Sequence, residues 1–170
     1  MPLITPKKTP HEFGFSFGDR HLIVNDDLET IKAFDYQGVK LWERPCLARG
    51  QWEDNNWWDT NADTPPGLYK IGEVYRDYEN ADAIATHIKM SFGWYTFDLE
   101  ELENQEQAVG RAGICLHGGG SNCGWPGAWD EYQQLFPTFG CIRMYNKDLQ
   151  DLILPLVTKG TVYISVYQEA

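Results

Sequence analysis

Two residues of this 170-residue chain have the types and the setting of a nucleophile and its base, Cys141 and His117. They bound the stretch HGGGSNCGWPGAWDEYQQLFPTFGCIRM, residues 117–144, which opens on a histidine with three glycines and closes on Thr138-Phe139-Gly140-Cys141-Ile142-Arg143-Met144. A free thiol with a pKa of ~8.5 is mostly protonated at neutral pH; a neighbouring imidazole and backbone dipoles lower that value and give an attacking thiolate. In such chemistry Cys141 attacks a peptide carbonyl, and His117 takes the thiol proton and delivers it to the departing amine. Gly140 has no Cβ, so the main chain can approach a tetrahedral intermediate closely, and the N–H groups of Gly140 and Cys141 are the expected oxyanion hole. Arg143 offers a bidentate fork to a substrate carboxylate, or else an ion pair that holds its own loop.

These side chains need rigid elements on either side. Ala112–Leu116 (AGICL) is small and apolar and reads as a buried strand, which puts His117 at a strand end. Asn146 reads as the N-cap of a helix over 147–158, with Leu149, Leu152, Ile153, Leu156 and Val157 on one face and Pro155 bending or ending it early. Upstream, strands are expected at His21–Val24 and Thr30–Phe34 around an Asn25-Asp26-Asp27 turn. Others follow at Val39–Trp42 after a Gln37-Gly38 turn, at Gly67–Tyr75, at Thr86–Phe92 and at Trp94–Phe97. Thr161–Tyr167 alternates as a closing strand, and the acidic run Asp98–Gln107 reads as a short surface helix or loop. Short strands at regular spacing predict an antiparallel, mainly β core with one or two helices. Residues 1–12, with three prolines, read as a mobile arm, and Phe13, Phe15 and Phe17 as an added edge strand.

The ordered set His117-Gly118, Thr138-x-Gly140-Cys141-Ile142-Arg143-Met144, Asp148, Leu152 and Gly160-Thr161-Val162-Tyr163-Ile164 resembles the catalytic core of L,D-transpeptidases, the YkuD-like family. Thr64-Pro65-Pro66-Gly67-Leu68-Tyr69 is similar to that family's turn into a strand, and His21 to Gly50 resembles its opening hairpin. The resemblance covers residues 20–167 and implies a β-sandwich-type catalytic fold over 20–170, with residues 1–19 as an arm or edge strand. It also implies a cysteine acyltransferase working on peptidoglycan stem peptides, with Cys141 as nucleophile, His117 as base and the Gly118 carbonyl orienting the imidazole. A second histidine often precedes the Gly-Cys pair in the family; here that position is Phe139. The insert before Cys141 is long and carries Trp125, Pro126, Trp129 and Tyr132, a lid or glycan platform, or simply a folded cap. Thr138, Phe139, Trp125 and Trp129 are therefore candidate substrate contacts beside Arg143. Transfer to water or to a free D-amino acid, by a phage-borne or secreted wall-attacking protein, is one alternative, and a non-catalytic wall-binding or particle module is another.

Composition removes other classes. Apolar residues make up 42% and charged residues 23%, which is the make-up of one folded domain rather than a disordered chain. A net charge of −11 lacks the basic footprint that nucleic acids and anionic lipid surfaces require. No run approaches the ~18 apolar residues of a membrane span. No apolar stretch follows Lys7 and Lys8, so the expectation is a chain made in the cytoplasm without a secretory signal and acting at the cell wall or periplasm. The polar segment 51–63 carries Trp52, Trp57 and Trp58, which could stack on sugar in a substrate groove or fold back over the sheet. Four cysteines do not suggest a disulfide scaffold. Cys115 shares a strand face with His117, and with Cys123, Cys141 and His117 it could make a Cys₃His zinc site. Those spacings match no common zinc module, so Cys115 reads as a small core residue, Cys46 as an ordinary strand residue, and neither metal nor cofactor is expected.

Overall fold

Val162–Glu169 (β9) is the strand around which the sheet is laid. In the computed structural model, which describes residues 3–51, 57–58, 62–104 and 111–169, the β9 residues Val162, Tyr163, Ile164, Ser165, Val166 and Gln168 are all buried. Burial on both faces requires a central position. β2 (Arg20–Asn25) lies parallel to β9 on one side and β5 (Gly67–Tyr75) antiparallel on the other. With β3 (Thr30–Phe34), β4 (Lys40–Pro45), β6 (Thr96–Glu101), β7 (Cys115–His117) and β8 (Ile142–Arg143), the order is β4-β3-β2-β9-β5-β6-β7-β8. β1 (Leu3–Ile4) adds to the far end of β9.

The hairpin β2–β3 follows its alternation: Leu22, Val24, Ile31 and Ala33 point into the core and their neighbours do not. Gly38 turns β3 into β4 at φ 82°, its N–H bonded to Asp35 O. The sheet is mixed rather than wholly antiparallel, because β2–β9 and β7–β8 are parallel pairs. A helical segment, α2 (residues 146–157), adds Leu149, Ile153 and Leu156 to the same buried core that holds Leu22, Phe97 and Ile164 of the sheet. α2 runs as an α turn (Asn146–Asp148), a π-helical stretch (Leu149–Ile153) and a further α turn (Leu154–Val157). Widening the helix ahead of Pro155 accommodates a residue with no N–H to give, so α2 carries on past it to Val157.

Four local readings change. Thr86–Phe92 is a helix, α1, ended by Gly93 at φ 71°. None of its residues is buried, so the alternation of Ile88, Met90 and Phe92 answers to no sheet face. Asp98–Glu101 of the acidic run belongs to strand β6, with Leu99 buried and Glu100 exposed; residues 105–107 lie outside the described part. Pro10–Phe13 is a 3₁₀ turn capped by Gly14, not an edge strand, and Phe15 packs edge-on to Tyr163 at 5.8 Å. Residues 3–12 are likewise not a loose arm, since Leu3–Ile4 pairs with β9 and Pro10 is buried.

Candidate active site

His117 ends β7 and Cys141 immediately precedes β8, and these two strands pair in parallel with Leu116 opposite Ile142 and His117 opposite Arg143. The thiol and the imidazole therefore meet at one end of a two-strand ladder. His117 is 3% exposed, and its Nδ1 lies 2.8 Å from Gly118 O. A carbonyl only accepts, so Nδ1 carries the proton and Nε2 is left with its lone pair toward the thiol. The Phe92 ring stands edge-on to the imidazole at 4.7 Å. Cys141 is held well below the ordinary thiol pKa by a hydrogen bond from Cys115, then by the hydrogen bond and charge of His117, against the opposing effect of burial. The Cys115 amide, 3.4 Å from Cys141 Sγ, adds to this.

The loop after His117 is fixed by buried amides. Asn146 Oδ1 accepts from Gly119 N–H at 3.0 Å and Trp94 N–H at 3.3 Å, and its Nδ2 donates to Ala128 O and Asp130 O. Gln133 donates from Nε2 to Gly119 O and Met144 O and accepts from the Asn146 amide. From α1, Phe92 O and Met90 O receive the N–H groups of Gly118 and Gly120. A Cβ on Gly118 would collide with Asn146 Oδ1, which is why this position needs a glycine. Asn146 is thus not the side-chain cap of α2; Tyr145 occupies the cap position, and the Asn146 amide is turned into the loop.

On the thiol side, Thr138 Oγ1 donates to Cys141 O at 2.7 Å and accepts the Gly140 N–H at 3.0 Å. Thr64 Oγ1 donates to Gly140 O at 2.7 Å. Gly140 sits at φ 117°, and a Cβ there would run into the Arg111 guanidinium. Buried Arg111 donates to the carbonyls of Trp57, Ala62, Asp63 and Phe139 and so ties three segments to the turn before the thiol.

A cavity of about 170 Å³ opens on the pair, lined by Gln51, Ser91, Phe92, His117, Thr138 and Cys141, with Arg143 and Phe139 also at its wall. Of the expected contacts, Phe139 is 64% exposed at the rim, whereas Thr138 is buried and its hydroxyl is already engaged in the turn. Arg143 is 3% exposed, and its donors go to the carbonyls of Gly118, Phe136, Pro137 and Ser91. That fork holds the loop rather than a carboxylate; burial lowers its pKa to about 10, which leaves it cationic at neutral pH. The Gly140 amide, taken up by Thr138, is likewise not free for an oxyanion. The cavity wall includes none of Trp57, Trp58, Trp125 and Trp129. Trp57 and Trp58 meet edge-to-face at 5.6 Å, Trp52 lies outside the described residues, and Trp129 stacks on Tyr78 while its carbonyl takes the Trp94 indole N–H. Among the described residues no group of three or more His, Cys, Asp or Glu side chains could hold a metal ion, so the Cys₃His alternative does not form. Arg111, Gln133 and Phe92 carry no local signal in the sequence, and Cys115 reads as a core residue when in fact it touches the thiol.

A mainly β domain that brings one imidazole onto one lowered-pKa thiol at a sheet end is the class that fold and site define. The chain belongs to the YkuD family, the L,D-transpeptidase catalytic domain, whose family model matches residues 19–164. No curated protein sequence matches it. Among solved structures it is similar to Bdellovibrio bacteriovorus Bd1075, at 16% identity and a TM-score of 0.57, covering 99% of this chain and 54% of that one. It is also similar to the helical cell shape determining protein Pgp2 of Campylobacter jejuni, at 17% identity and a TM-score of 0.54, covering 86% of this chain and 46% of that one. The chain thus spans about half the length of these structures, and at such identities the likeness is one of fold. No helix among the described residues is long and apolar enough to cross a membrane.

Proposed function

We propose that this chain is a peptidoglycan-modifying cysteine acyltransferase that works on stem peptides through an acyl-enzyme on Cys141. The observation that carries the reading is the lowered thiol of Cys141 beside a His117 whose Nδ1 is committed to Gly118 O. Family membership supports the substrate class, since the YkuD domain acts on peptidoglycan stem peptides. In the first half-reaction the Cys141 thiolate attacks the carbonyl of the scissile peptide bond, and the Cys141 amide faces the developing oxyanion in place of Gly140. His117 Nε2, having taken the Cys141 thiol proton to form that thiolate, passes it to the leaving amine, the C–N bond breaks, and a thioester remains. In the second, an incoming amine loses its proton to Nε2 and takes the acyl group, which restores the thiolate. Phe139 at the rim and Phe92 against the imidazole form the apolar wall for the peptide. The test is to incubate the purified chain with tetrapeptide muropeptides and weigh the products. Crosslinked dimers support transpeptidation, tripeptides or exchanged termini mean transfer to water or to a D-amino acid, and unchanged substrate with a reduced Cys141 overturns the reading.

A further inference from the structure

The acyl chemistry uses one thiol, yet the site holds two. Cys115 starts β7, and the β7–β8 register places it one step before Leu116, opposite the residue one step before Ile142, which is Cys141. Neighbouring strands run about 4.8 Å apart, inside the Cα separation of ~4.4–6.8 Å that a disulfide spans. The side chains also converge: Cys115 Sγ is 3.6 Å and Cys141 Sγ 3.8 Å from the same oxygen, Gly113 O. The Cys115 amide is 3.4 Å from Cys141 Sγ. Both cysteines are half-buried rather than sealed, and the cavity opens on Cys141. Across the other edge of β7, Asp98 pairs with Cys115, and its Oδ1 lies 3.2 Å from Cys115 Sγ.

We infer that Cys115 and Cys141 are a redox-modification site: peroxides convert them to a reversible disulfide that switches the nucleophile off and protects it from irreversible oxidation. The two thiols divide the labour. The hydrogen bond to Cys141, with burial and Asp98, pushes Cys115 well above the ordinary thiol value, whereas Cys141 is pulled well below it, so the pair holds a thiolate at 141 and a thiol at 115. The Cys141 thiolate attacks the peroxide, the O–O bond breaks, and the alkoxide or hydroxide leaves with a proton from water, giving a sulfenic acid. Cys115 Sγ then attacks the Cys141 sulfur and passes its proton to Asp98; the S–O bond breaks, and the hydroxide leaves as water with that proton. Two thiols are oxidised and one peroxide is reduced. Cys46 cannot take part because it is wholly buried and burial raises its pKa, and Cys123 points at Gln134 O on the loop.

This inference rests on a reactive Cys141 but not on any peptide substrate. The experiment treats the reduced chain with a modest excess of hydrogen peroxide, blocks remaining thiols with iodoacetamide and reads intact and peptide masses. The expected product has lost two hydrogens, carries a peptide link between Cys115 and Cys141, and regains both alkylatable thiols with dithiothreitol. In Cys115→Ala, and in Cys115→Ser as a second variant, Cys141 should instead gain two or three oxygens that dithiothreitol does not remove. Direct accumulation of sulfinic acid on wild-type Cys141, at the rate seen in Cys115→Ala, overturns the inference. So does a link that joins Cys141 to Cys123. Neither variant need fold for the wild-type link to be tested, and a chain inactive on muropeptides that still forms the link separates the two claims.

Discussion

At the scale of single residues, the site depends on one sulfur, one imidazole and the carbonyl that fixes the imidazole. Cys141→Ala should abolish acylation while leaving the denaturation midpoint close to wild type, because the side chain is half-buried and small. His117→Ala should slow single-turnover acylation of Cys141 by about 10²–10⁴, the usual worth of a general base, as measured by the mass gained from a carbapenem or a tetrapeptide. Near-normal acylation in that variant would mean that some other group activates the thiol. Because Cys141 is depressed, its alkylation by iodoacetamide should titrate below the ordinary thiol range of ~8.5 and move upward in His117→Ala. Phe139→His alters the rim and no reacting group, so single-turnover acylation should fall far less than in His117→Ala, while the muropeptide products shift between water and amine acceptors.

At the scale of elements, the contact between β2 and β9 makes stability depend on pH. His21 on β2 lies 2.7 Å from Ser165 Oγ on β9, and burial, followed by the charge of His11, lowers its pKa to about 4. An unfolded histidine titrates near ~6.5, so below that pH the unfolded chain binds a proton that the folded chain refuses. Its contribution is therefore complete above about pH 6.5 and is lost as pH falls through the folded value. Urea midpoints should decline over that window in the wild type and flatten in His21→Gln; an unchanged slope would remove His21 as the cause. The loop clamp of α2 is a second test. Asn146→Ala leaves the Gly119 amide and the carbonyls of Ala128 and Asp130 without their partner, and each buried group left unpaired costs ~1–3 kcal/mol. We expect a loss of about 3 kcal/mol or more in urea denaturation, with slower acylation as Gly118 loosens.

At the scale of the whole molecule, the catalytic ladder β7–β8 ends the strand order, and among the described residues β8 is met on its far side by a single antiparallel bridge, Leu47 to Arg143, with both backbone hydrogen bonds made. Arg111 adds to that support, reaching from the chain before β7 to residues 57, 62, 63 and 139. Arg111→Met keeps much of the volume and removes four charged hydrogen bonds, so it should lower stability by more than the ~1.5–3 kcal/mol that one such bond contributes, and lower acylation with it. Gly140→Ala should impair acylation through the same contact, although both reacting side chains are intact. Wild-type acylation in Gly140→Ala would show that the guanidinium can move aside at little cost.

Sequence alone determined the family, the strands around β9 and the pairing of His117 with Cys141. Those signals are local: alternating burial in Leu22, Val24, Ile31 and Ala33, and short motifs that can be read at their own positions. The stripe Leu149, Ile153, Leu156 was legible for the same reason, one face of one helix. What only the tertiary structure decided involves partners distant in the chain. Asn146 looks like a cap until the loop at 118–120 and the carbonyls at 128 and 130 come to it, and Arg143 looks like a carboxylate fork until four carbonyls from three segments claim its donors. Helix α1 shows a strand's alternation because seven residues are too few for the period to decide when none is buried. Cys115 looks like core packing until the parallel register of β7 and β8 sets it against Cys141, since strand pairing across 26 residues leaves no mark in either strand's own pattern.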